Sequence, residues 1–191
     1  IRDRDIELAI DGLSGKLFIV QARPETIHSR KKDNSLIEYI IDDTNGKTIR
    51  LTGIAVGDKV GQGKIQKMYS LDGRDGSFDG SNFQEGDVLV TEMTDPDWEP
   101  IMKKASAIIT NKGGRTCHAA IVAREMGVPA IVGTENGTEI LFNGEEMTVS
   151  CAEGDLGKVY EGIIPFKLKK TKLDNLPKTN TPIMLNVASP D

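Results

Sequence analysis

A histidine directly before an alanine-rich helical pattern is the side chain of this sequence best suited to chemistry. His118 follows a loop, 113–117, that reads Gly-Gly-Arg-Thr-Cys. The first turn of a helix presents unpaired N–H groups and the positive end of the helix dipole, so it favours a bound anion. Imidazole is a good nucleophile toward phosphorus, and the N–P bond that it forms is labile enough to pass the group on. The pattern predicts that His118 carries a phosphoryl group.

The loop before this histidine has the composition of a phosphate-binding loop. Gly113 and Gly114 lack a Cβ, which lets the backbone come close to a phosphate. Thr116 can cap the helix and can also donate its hydroxyl to a phosphoryl oxygen. Cys117 is either a reactive thiol or a small side chain that packs beside the histidine. Together with Arg115, these residues form the predicted phosphate loop.

A second interpretation gives His118 no chemistry. In it, the histidine only caps the helix or packs against its first turn. The sequence has 2 histidines, and the other, His28, falls in a polar stretch that we assign to a linker. His118 is therefore predicted to act without a second imidazole.

The elements around the loop form a repeating strand and helix pattern. A strand at 107–110 leads into the loop, and a helix over 116–126 follows, with Gly127 as its C-cap and Pro129 beyond. Before it, a strand at 87–92 precedes a helix over 96–104. Asp95 is the N-cap of that helix, and apolar residues at helical spacing give it one buried stripe: Trp98, Ile101, Met102 and Ala105. Further strands are predicted at 130–132, 146–150 and 158–160.

The region before these elements reads as β structure. Strands at 36–41 and 47–51 flank Asn45-Gly46, a strong hairpin signal. Glycines spaced through 53–63 predict short strands that bend sharply. A strand near residue 17 closes at Pro24, and the lysine-rich stretch after residue 166 reads as a solvated linker.

Bulk composition excludes several classes of protein. With 191 residues, a net charge of −5 and 38% hydrophobic residues, the chain is typical of a globular protein, and nucleic-acid binding is not expected. No apolar run approaches the roughly 20 residues that span a membrane. Two cysteines are too few for a disulfide framework, so a reducing cytoplasm is expected. The sequence begins without Met, and we expect a fragment of a longer polypeptide.

The run from residue 113 to residue 133 resembles the phosphohistidine signature of the phosphoenolpyruvate-utilising enzymes. It continues past His118 as Ala-Ala-Ile-Val-Ala-Arg-Glu-Met-Gly-Val-Pro-Ala-Ile-Val-Gly. The resemblance implies that His118 is the phosphate carrier. It also implies that the carrier lies on a mobile β/β/α swivelling domain of the α/β class.

Within this family, three segments are similar to the members that use water as the second phosphoryl acceptor. They are 91–102, the Thr-Cys-His of the loop, and 150–155. The implied reaction converts ATP, pyruvate and water into AMP, phosphoenolpyruvate and phosphate. The alternatives are a dikinase that uses phosphate in place of water, another phosphotransferase of the family, and a non-catalytic docking module.

The flanks resemble neighbouring domains of the same family. The segment 1–28 is similar to the end of an ATP-grasp nucleotide-binding domain. There the resemblance implies that Glu7 and Gln21 help to hold Mg²⁺ and that Arg23 contacts the phosphates of the nucleotide.

The resemblance also implies a domain order. A linker at 29–35 leads to the phosphohistidine domain at 36–165, and a second linker at 166–181 leads to the start of a TIM-type pyruvate-binding barrel at 182–191. ATP and pyruvate or phosphoenolpyruvate would then bind through the adjoining domains. In bacterial members, the threonine matching Thr116 is a target of a regulatory kinase and phosphorylase, and the full-length enzyme is expected to be a homo-oligomer.

Overall fold

A closed barrel of seven strands forms the centre of the structure, a computed structural model that describes residues 4–24, 35–41, 46–70 and 83–172. The strands of the described chain are β1 (Arg4–Ile10), β2 (Leu17–Pro24), β3 (Ser35–Ile41), β4 (Ile49–Val56), β5 (Val60–Lys67), β6 (Val88–Thr91), β7 (Ala107–Thr110), β8 (Ala130–Val132), β9 (Glu146–Ser150), β10 (Leu156–Glu161) and β11 (Phe166–Lys172). Its helices are α1 (Glu99–Met102), α2 (His118–Met126) and α3 (Gly137–Ile140), and a 3-10 turn, Pro96–Trp98, precedes α1. This arrangement confirms the α/β class.

The barrel has the strand order β10-β4-β8-β7-β6-β5-β9, and β9 pairs with β10 to close it. The four strands β5 to β8 include three parallel pairs, β5 with β6, β6 with β7 and β7 with β8, whereas the other pairs are antiparallel. Parallel strands end at the same edge of a sheet. The loops that follow β6, β7 and β8 therefore lie side by side, and we call this edge the carboxyl rim.

Alternate residues of the barrel strands separate into two apolar clusters. In β6, Val88 and Val90 belong to the cluster inside the barrel, whereas Leu89 belongs to the cluster beneath the helices. Trp98 and Met102 are buried in that second cluster, so the predicted stripe is confirmed. Burying a side chain of this size stabilises a fold by roughly 1.5–3 kcal/mol.

Two helix boundaries differ from the sequence prediction. Helix α2 begins at His118 rather than at residue 116, and its N-cap is Cys117 in an extended conformation, so the predicted capping role of Thr116 is wrong. Gly127 ends α2 in the left-handed conformation, as predicted. The helix predicted over 96–104 is shorter, because α1 ends at residue 102 after the 3-10 turn. Asp95 caps that turn by accepting from Asp97 N, as expected.

The predicted Asn-Gly hairpin is wrong. Strand β4 pairs with β8 and β10, and β3 pairs with β11. Closure of the barrel occupies both edges of β4, which leaves no edge for β3. The predicted short, bent strands are also replaced by two eight-residue strands, β4 and β5. Gly63 in β5 allows the backbone at Gly86 to come close, since a Cβ on Gly63 would lie 2.1 Å from the carbonyl oxygen of Gly86.

Strands β3 and β11 form a two-stranded antiparallel ribbon outside the barrel. Glu38 lies opposite Lys169 and pairs with it at 2.8 Å, and the rings of Tyr39 and Phe166 are 5.6 Å apart. The stretch predicted to be a solvated linker is therefore a strand over Phe166–Lys172, although its lysines are exposed as expected. The rest of that linker, the linker at 29–34 with His28, and the predicted barrel start at 182–191 lie outside the described residues.

Strands β1 and β2 form a separate antiparallel hairpin. Strand β2 ends at Pro24, as predicted, whereas its partner β1 was not predicted. Its turn is held by Asp11, whose carboxylate accepts from the backbone N–H and the hydroxyl of Ser14. Among the described residues, no helix has the length and apolar character needed to cross a membrane.

Candidate active site

The carboxyl rim of the barrel brings together the loops that follow β6 and β7. These strands are parallel, with Thr91 opposite Thr110, so both strands end at the same level of the barrel. The β6 loop carries Thr94, and the β7 loop leads to His118 at the start of α2. Residues 24 positions apart in sequence thereby become neighbours.

Thr94 holds one nitrogen of the His118 ring. Its Oγ1 lies 3.0 Å from Nδ1 of His118, within hydrogen-bonding distance. Thr94 is buried, with 6% of its surface exposed, and His118 is half-buried. In the described part of the chain, Nε2 has no hydrogen-bond partner. The ring is therefore oriented by Nδ1, which leaves Nε2 as the nitrogen available for chemistry.

The loop before the histidine depends on glycine at one position and not at the other. Gly113 has a φ of +114°, and a Cβ there would lie 2.7 Å from Sγ of Cys117. At Gly114 a Cβ would meet no atom within 4 Å, and its φ is not in the left-handed region. The fold therefore requires glycine at 113 and leaves open space beside 114.

Helix α2 is fixed on the barrel by small side chains. Four of its residues are buried, and they are Ala119, Ala120, Val122 and Ala123. This face packs against β4, β7 and β8, and Met126 at the end of the helix is half-buried. Arg124 of the same helix donates to the carbonyl oxygen of Arg115 at 2.7 Å and so ties the loop to the helix.

The remaining loop side chains face different surroundings. Thr116 is exposed, two residues from His118. The Arg115 guanidinium pairs with Asp155, a residue of the β9–β10 loop, and Asp155 also lines an open groove with Gly133 and Leu156. Arg115 is thus engaged with a carboxylate beside the loop.

A hydrogen-bond network lies beneath the two loops, with Asn111 and Thr138 buried and Glu92 and Lys112 partly open to solvent. Asn111 Nδ2 donates to Glu92 Oε2 at 2.7 Å and to Thr138 Oγ1 at 2.7 Å. Lys112 Nζ pairs with the other carboxylate oxygen of Glu92 at 3.0 Å. Hydrogen bonds from Lys112 and then from Asn111 hold the pKa of the Glu92 carboxyl below its ordinary value.

The two cysteines have structural surroundings. Cys117 packs against the apolar cluster beneath the helices, which supports its interpretation as a small packing side chain. Cys151 is buried, and its thiol donates to the carbonyl oxygen of Ala130 at 3.2 Å. Burial raises the pKa of the Cys151 thiol to about 11.

The residues predicted to contact nucleotide and metal lie on the hairpin of β1 and β2. Glu7 is opposite Gln21 in the register, and Arg23 is opposite Asp5. The described residues contain no cluster of three or more His, Cys, Asp or Glu side chains that could hold a metal ion. The predicted roles of Glu7, Gln21 and Arg23 stay predictions.

Sequence reasoning missed four residues of this site: Thr94, Glu92, Asn111 and Asp155. The first three follow or end the neighbouring strands β6 and β7, and parallel pairing of these strands was the signal that could have found them. Asp155 reaches the loop through closure of the barrel by β9 and β10. No local pattern marks that contact.

The barrel and its rim histidine define a class of protein. Residues 83–154 match the family described as PEP-utilising enzyme, mobile domain, and this chain belongs to that family. Curated relatives named phosphoenolpyruvate synthase are 54% identical over 98% of this chain in Aquifex aeolicus, 52% over 100% in Neisseria meningitidis and 50% over 100% in Escherichia coli. The chain spans only 22–23% of the length of these relatives. The resemblance carried by residues 113–133 is thereby confirmed.

Proposed function

We propose that this chain is the phosphoryl-carrier part of a phosphoenolpyruvate synthase and that His118 carries the transferred group. The observation that supports this most directly is the contact of Thr94 Oγ1 with Nδ1 of His118 at 3.0 Å. It orients a half-buried imidazole at the N-terminus of a nine-residue helix, inside the segment that matches the family. A residue that served only as a cap would not need an oriented ring.

The chemistry follows from the free ring nitrogen. Nδ1–H donates to Thr94, and the lone pair of Nε2 attacks the β-phosphorus of ATP. The bond from that phosphorus to the oxygen bridging the α- and β-phosphates breaks, and AMP leaves. Water then removes the terminal phosphate as orthophosphate. The remaining phosphoryl group passes to the enolate oxygen of pyruvate, which yields phosphoenolpyruvate and restores His118.

The loop supplies the groups that favour a phosphorylated histidine. Backbone N–H groups in the first turn of α2 are suited to an anion. The Thr116 hydroxyl is exposed two residues away, and the open space beside Gly114 gives a phosphate room near the backbone. Arg115 can exchange Asp155 for a phosphoryl oxygen, because guanidinium binds phosphate through two parallel hydrogen bonds.

A magnesium site is proposed on the hairpin of β1 and β2. The register puts a carboxylate-bearing residue, Glu7, opposite an amide-bearing one, Gln21, and both offer the oxygen donors that Mg²⁺ prefers. When bound, the ion would neutralise charge on the phosphates of ATP, and Arg23 would contact the same phosphates. Two donors do not complete the coordination of Mg²⁺, so the other ligands must come from elsewhere.

The proposal places this chain within a longer cytoplasmic enzyme. An ATP-grasp domain would precede it and a TIM-type pyruvate-binding barrel would follow, so that ATP and pyruvate react at different places. The domain at 36–165 would swing between them. A regulatory kinase and phosphorylase acting on Thr116 would switch the enzyme, because a phosphate there repels the incoming anion. The full-length enzyme is proposed to be a homo-oligomer.

The test uses the full-length protein and ATP labelled at the β-phosphorus. We expect acid-labile label on the wild type and no label on His118→Ala. The matched control is His28→Ala, which removes the other histidine of this chain and should label normally. Labelling should not depend on added phosphate, and orthophosphate should be released.

Two other results would replace the proposal. Labelling that requires phosphate and releases pyrophosphate would identify a pyruvate, phosphate dikinase. A wild-type protein that takes no label from ATP, although it is folded, would leave His118 as a structural residue of a docking module.

A further inference from the structure

Asn111 is the first residue of the loop that leads to His118, and its side chain contacts the loop that carries Thr94. It directly follows β7 and is buried, with 5% of its surface exposed. On one side of it are Glu92 and the β6 loop, and on the other is the first turn of α3. A buried amide in this position must find partners for its polar atoms, because an unpaired polar atom that is removed from water destabilises the fold.

Every polar atom of the Asn111 side chain has a partner. Nδ2 uses its two donors on Glu92 Oε2 and Thr138 Oγ1, each at 2.7 Å. Oδ1 accepts from the backbone N–H of Thr138 at 3.0 Å. The contact with a carboxylate determines which end of the amide is nitrogen, since an amide oxygen there would face another acceptor. Asparagine is thus the side chain whose donors and acceptor fit this position.

The backbone at this position joins the same loops. Asn111 N donates to Thr91 O at 3.1 Å, and its carbonyl oxygen accepts from Glu135 N at 3.0 Å. Lys112 N donates to Glu92 O at 2.9 Å, which extends the pairing of β6 and β7 past their ends. Glu92 is therefore held by its backbone and by both oxygens of its side chain.

These hydrogen bonds affect the position of the His118 ring through its contact with Thr94. Thr94 comes two residues after Glu92 on one loop, and His118 ends the other loop six residues after Lys112. The separation of the two loops sets the 3.0 Å distance from Thr94 Oγ1 to Nδ1 of His118. A displacement of only about 1 Å in a reacting group can slow a reaction about a hundred-fold.

We propose that Asn111 is a positioning residue for phosphoryl transfer, because its bonds to Thr138 hold its side chain in place and its bond to Glu92 fixes the two loops at the separation that orients the His118 ring. The inference rests on the proposed function of His118. Asn111 touches no reacting atom and acts through Thr94.

The test first breaks the hydrogen bond between Asn111 and Glu92 and then restores it with donor and acceptor exchanged. Asn111→Asp keeps the shape of the side chain but puts a carboxylate against Glu92. We expect label from ATP to enter His118 of the full-length protein about ten- to a hundred-fold more slowly. Adding Glu92→Gln supplies an amide donor to the new carboxylate, and this double variant should recover most of the rate. Thr138→Val removes one acceptor without adding charge and should slow labelling less.

A second measurement, by NMR, tests the position of the His118 ring without relying on the proposed reaction. In this chain labelled with ¹⁵N-histidine, the wild-type signal of Nδ1 in His118 should report a hydrogen bond. Asn111→Asp should weaken it, and the double variant should restore it. The matched control is Gln62→Glu, a part-buried amide at the opposite end of the barrel that bonds to Thr148 and to the carbonyl oxygen of Ile164. It should lower the melting temperature without changing the His118 signal.

The outcomes separate the two proposals. An unchanged His118 signal in folded Asn111→Asp, or no recovery in the double variant, would overturn the positioning role. If Asn111→Asp does not fold, Thr138→Val decides, and an unaltered signal there contradicts the inference. A wild type that takes no label from ATP while its Nδ1 signal responds as expected would refute the proposed function and leave the geometric role of Asn111 standing.

Discussion

The guanidinium of Arg115 lies 2.9 Å from the carboxylate of Asp155, measured from Nη2 to Oδ1. This contact joins the loop before His118 to the loop between β9 and β10. Both side chains are open to solvent, with 53% and 90% of their surfaces exposed. Such surface pairs contribute little to stability, whereas a phosphoryl group on His118 would offer Arg115 a more highly charged partner. We infer that Asp155 holds Arg115 beside the site until a phosphate arrives.

Replacement of Asp155 tests this exchange. Asp155→Asn should leave the melting temperature nearly unchanged and should label at least as fast as the wild type, because Arg115 no longer has to leave a carboxylate. Arg115→Ala should label about a hundred-fold more slowly, the usual cost of removing one donor to a developing anion. Glu161→Gln is the matched control, since it also removes an exposed carboxylate that pairs with an arginine. Slower labelling in Asp155→Asn would contradict the exchange.

The hydroxyl of Thr94 should matter more than its shape. Thr94→Val leaves Nδ1 of His118 without its partner, so we expect labelling from ATP to slow about ten- to a hundred-fold. Thr94→Ser keeps the hydroxyl and should stay within a few-fold of the wild type. Rapid-quench labelling with β-labelled ATP measures both rates. Equal rates in the valine variant and the wild type would show that the contact does not orient the ring.

The sequence was most informative where structure depends on neighbours along the chain. The strand at Ala107–Thr110, the loop and the helix ending at Gly127 follow from residues that lie next to each other, so the position of His118 at a helix start was predictable. Its contact with Thr94 was not, because it spans 24 residues and depends on parallel pairing of β6 and β7.

The pairing of the strands was also not predictable from local sequence patterns. The local Asn-Gly signal favoured pairing of β3 with the next strand, but barrel closure gives β4 two other neighbours and leaves β3 to pair with Phe166–Lys172. Lysines made that last segment read as a linker. They are tolerated because a two-stranded ribbon exposes most of its side chains, as the six exposed residues that follow Phe166 show.

The two glycines of the loop should separate folding from function. Gly114→Ala adds a methyl group where no atom lies within 4 Å, so its melting temperature should match that of the wild type. Labelling of His118 should nevertheless slow, because the methyl group occupies space that a phosphate would use. Gly113→Ala should destabilise the fold, since its φ is +114° and the methyl group would meet Cys117. Normal labelling in Gly114→Ala would argue against a phosphate beside that residue.

The two thiols should differ in reactivity. Burial raises the pKa of Cys151 to about 11, so this thiol stays protonated and should resist iodoacetamide at pH 8 in the folded protein. Cys117 is partly exposed and should be alkylated first. Because the folded-state pKa lies above the ordinary value of 9.0, the contribution of Cys151 to stability should be complete below pH 9.0 and decline toward pH 11. Mass spectrometry of timed samples checks the order, and equal rates would show that Cys151 is accessible.

The contribution of Glu92 to the free energy of unfolding should depend on pH in the acid range. Its folded-state pKa lies below the ordinary value of 4.5, so its contribution to stability is present above pH 4.5 and is lost as pH falls through the lowered pKa. Glu92→Gln cannot titrate there. The difference in unfolding free energy between wild type and variant should therefore shrink in acid. Denaturant melts between pH 3 and pH 7 measure it, and a constant difference would show that the Glu92 carboxyl is not held by the network.

The ribbon of β3 and β11 has a consequence for protein engineering. Because Ser35 lies opposite Lys172 in its register, the two outer ends of the ribbon are adjacent, about 5 Å apart between Cα atoms. A surface loop of an unrelated host protein has ends at a similar spacing, and such loops accept inserted domains. We therefore expect that the segment from 35 to 172 can be inserted into such a loop, which would give the host a histidine whose ring is oriented by a threonine.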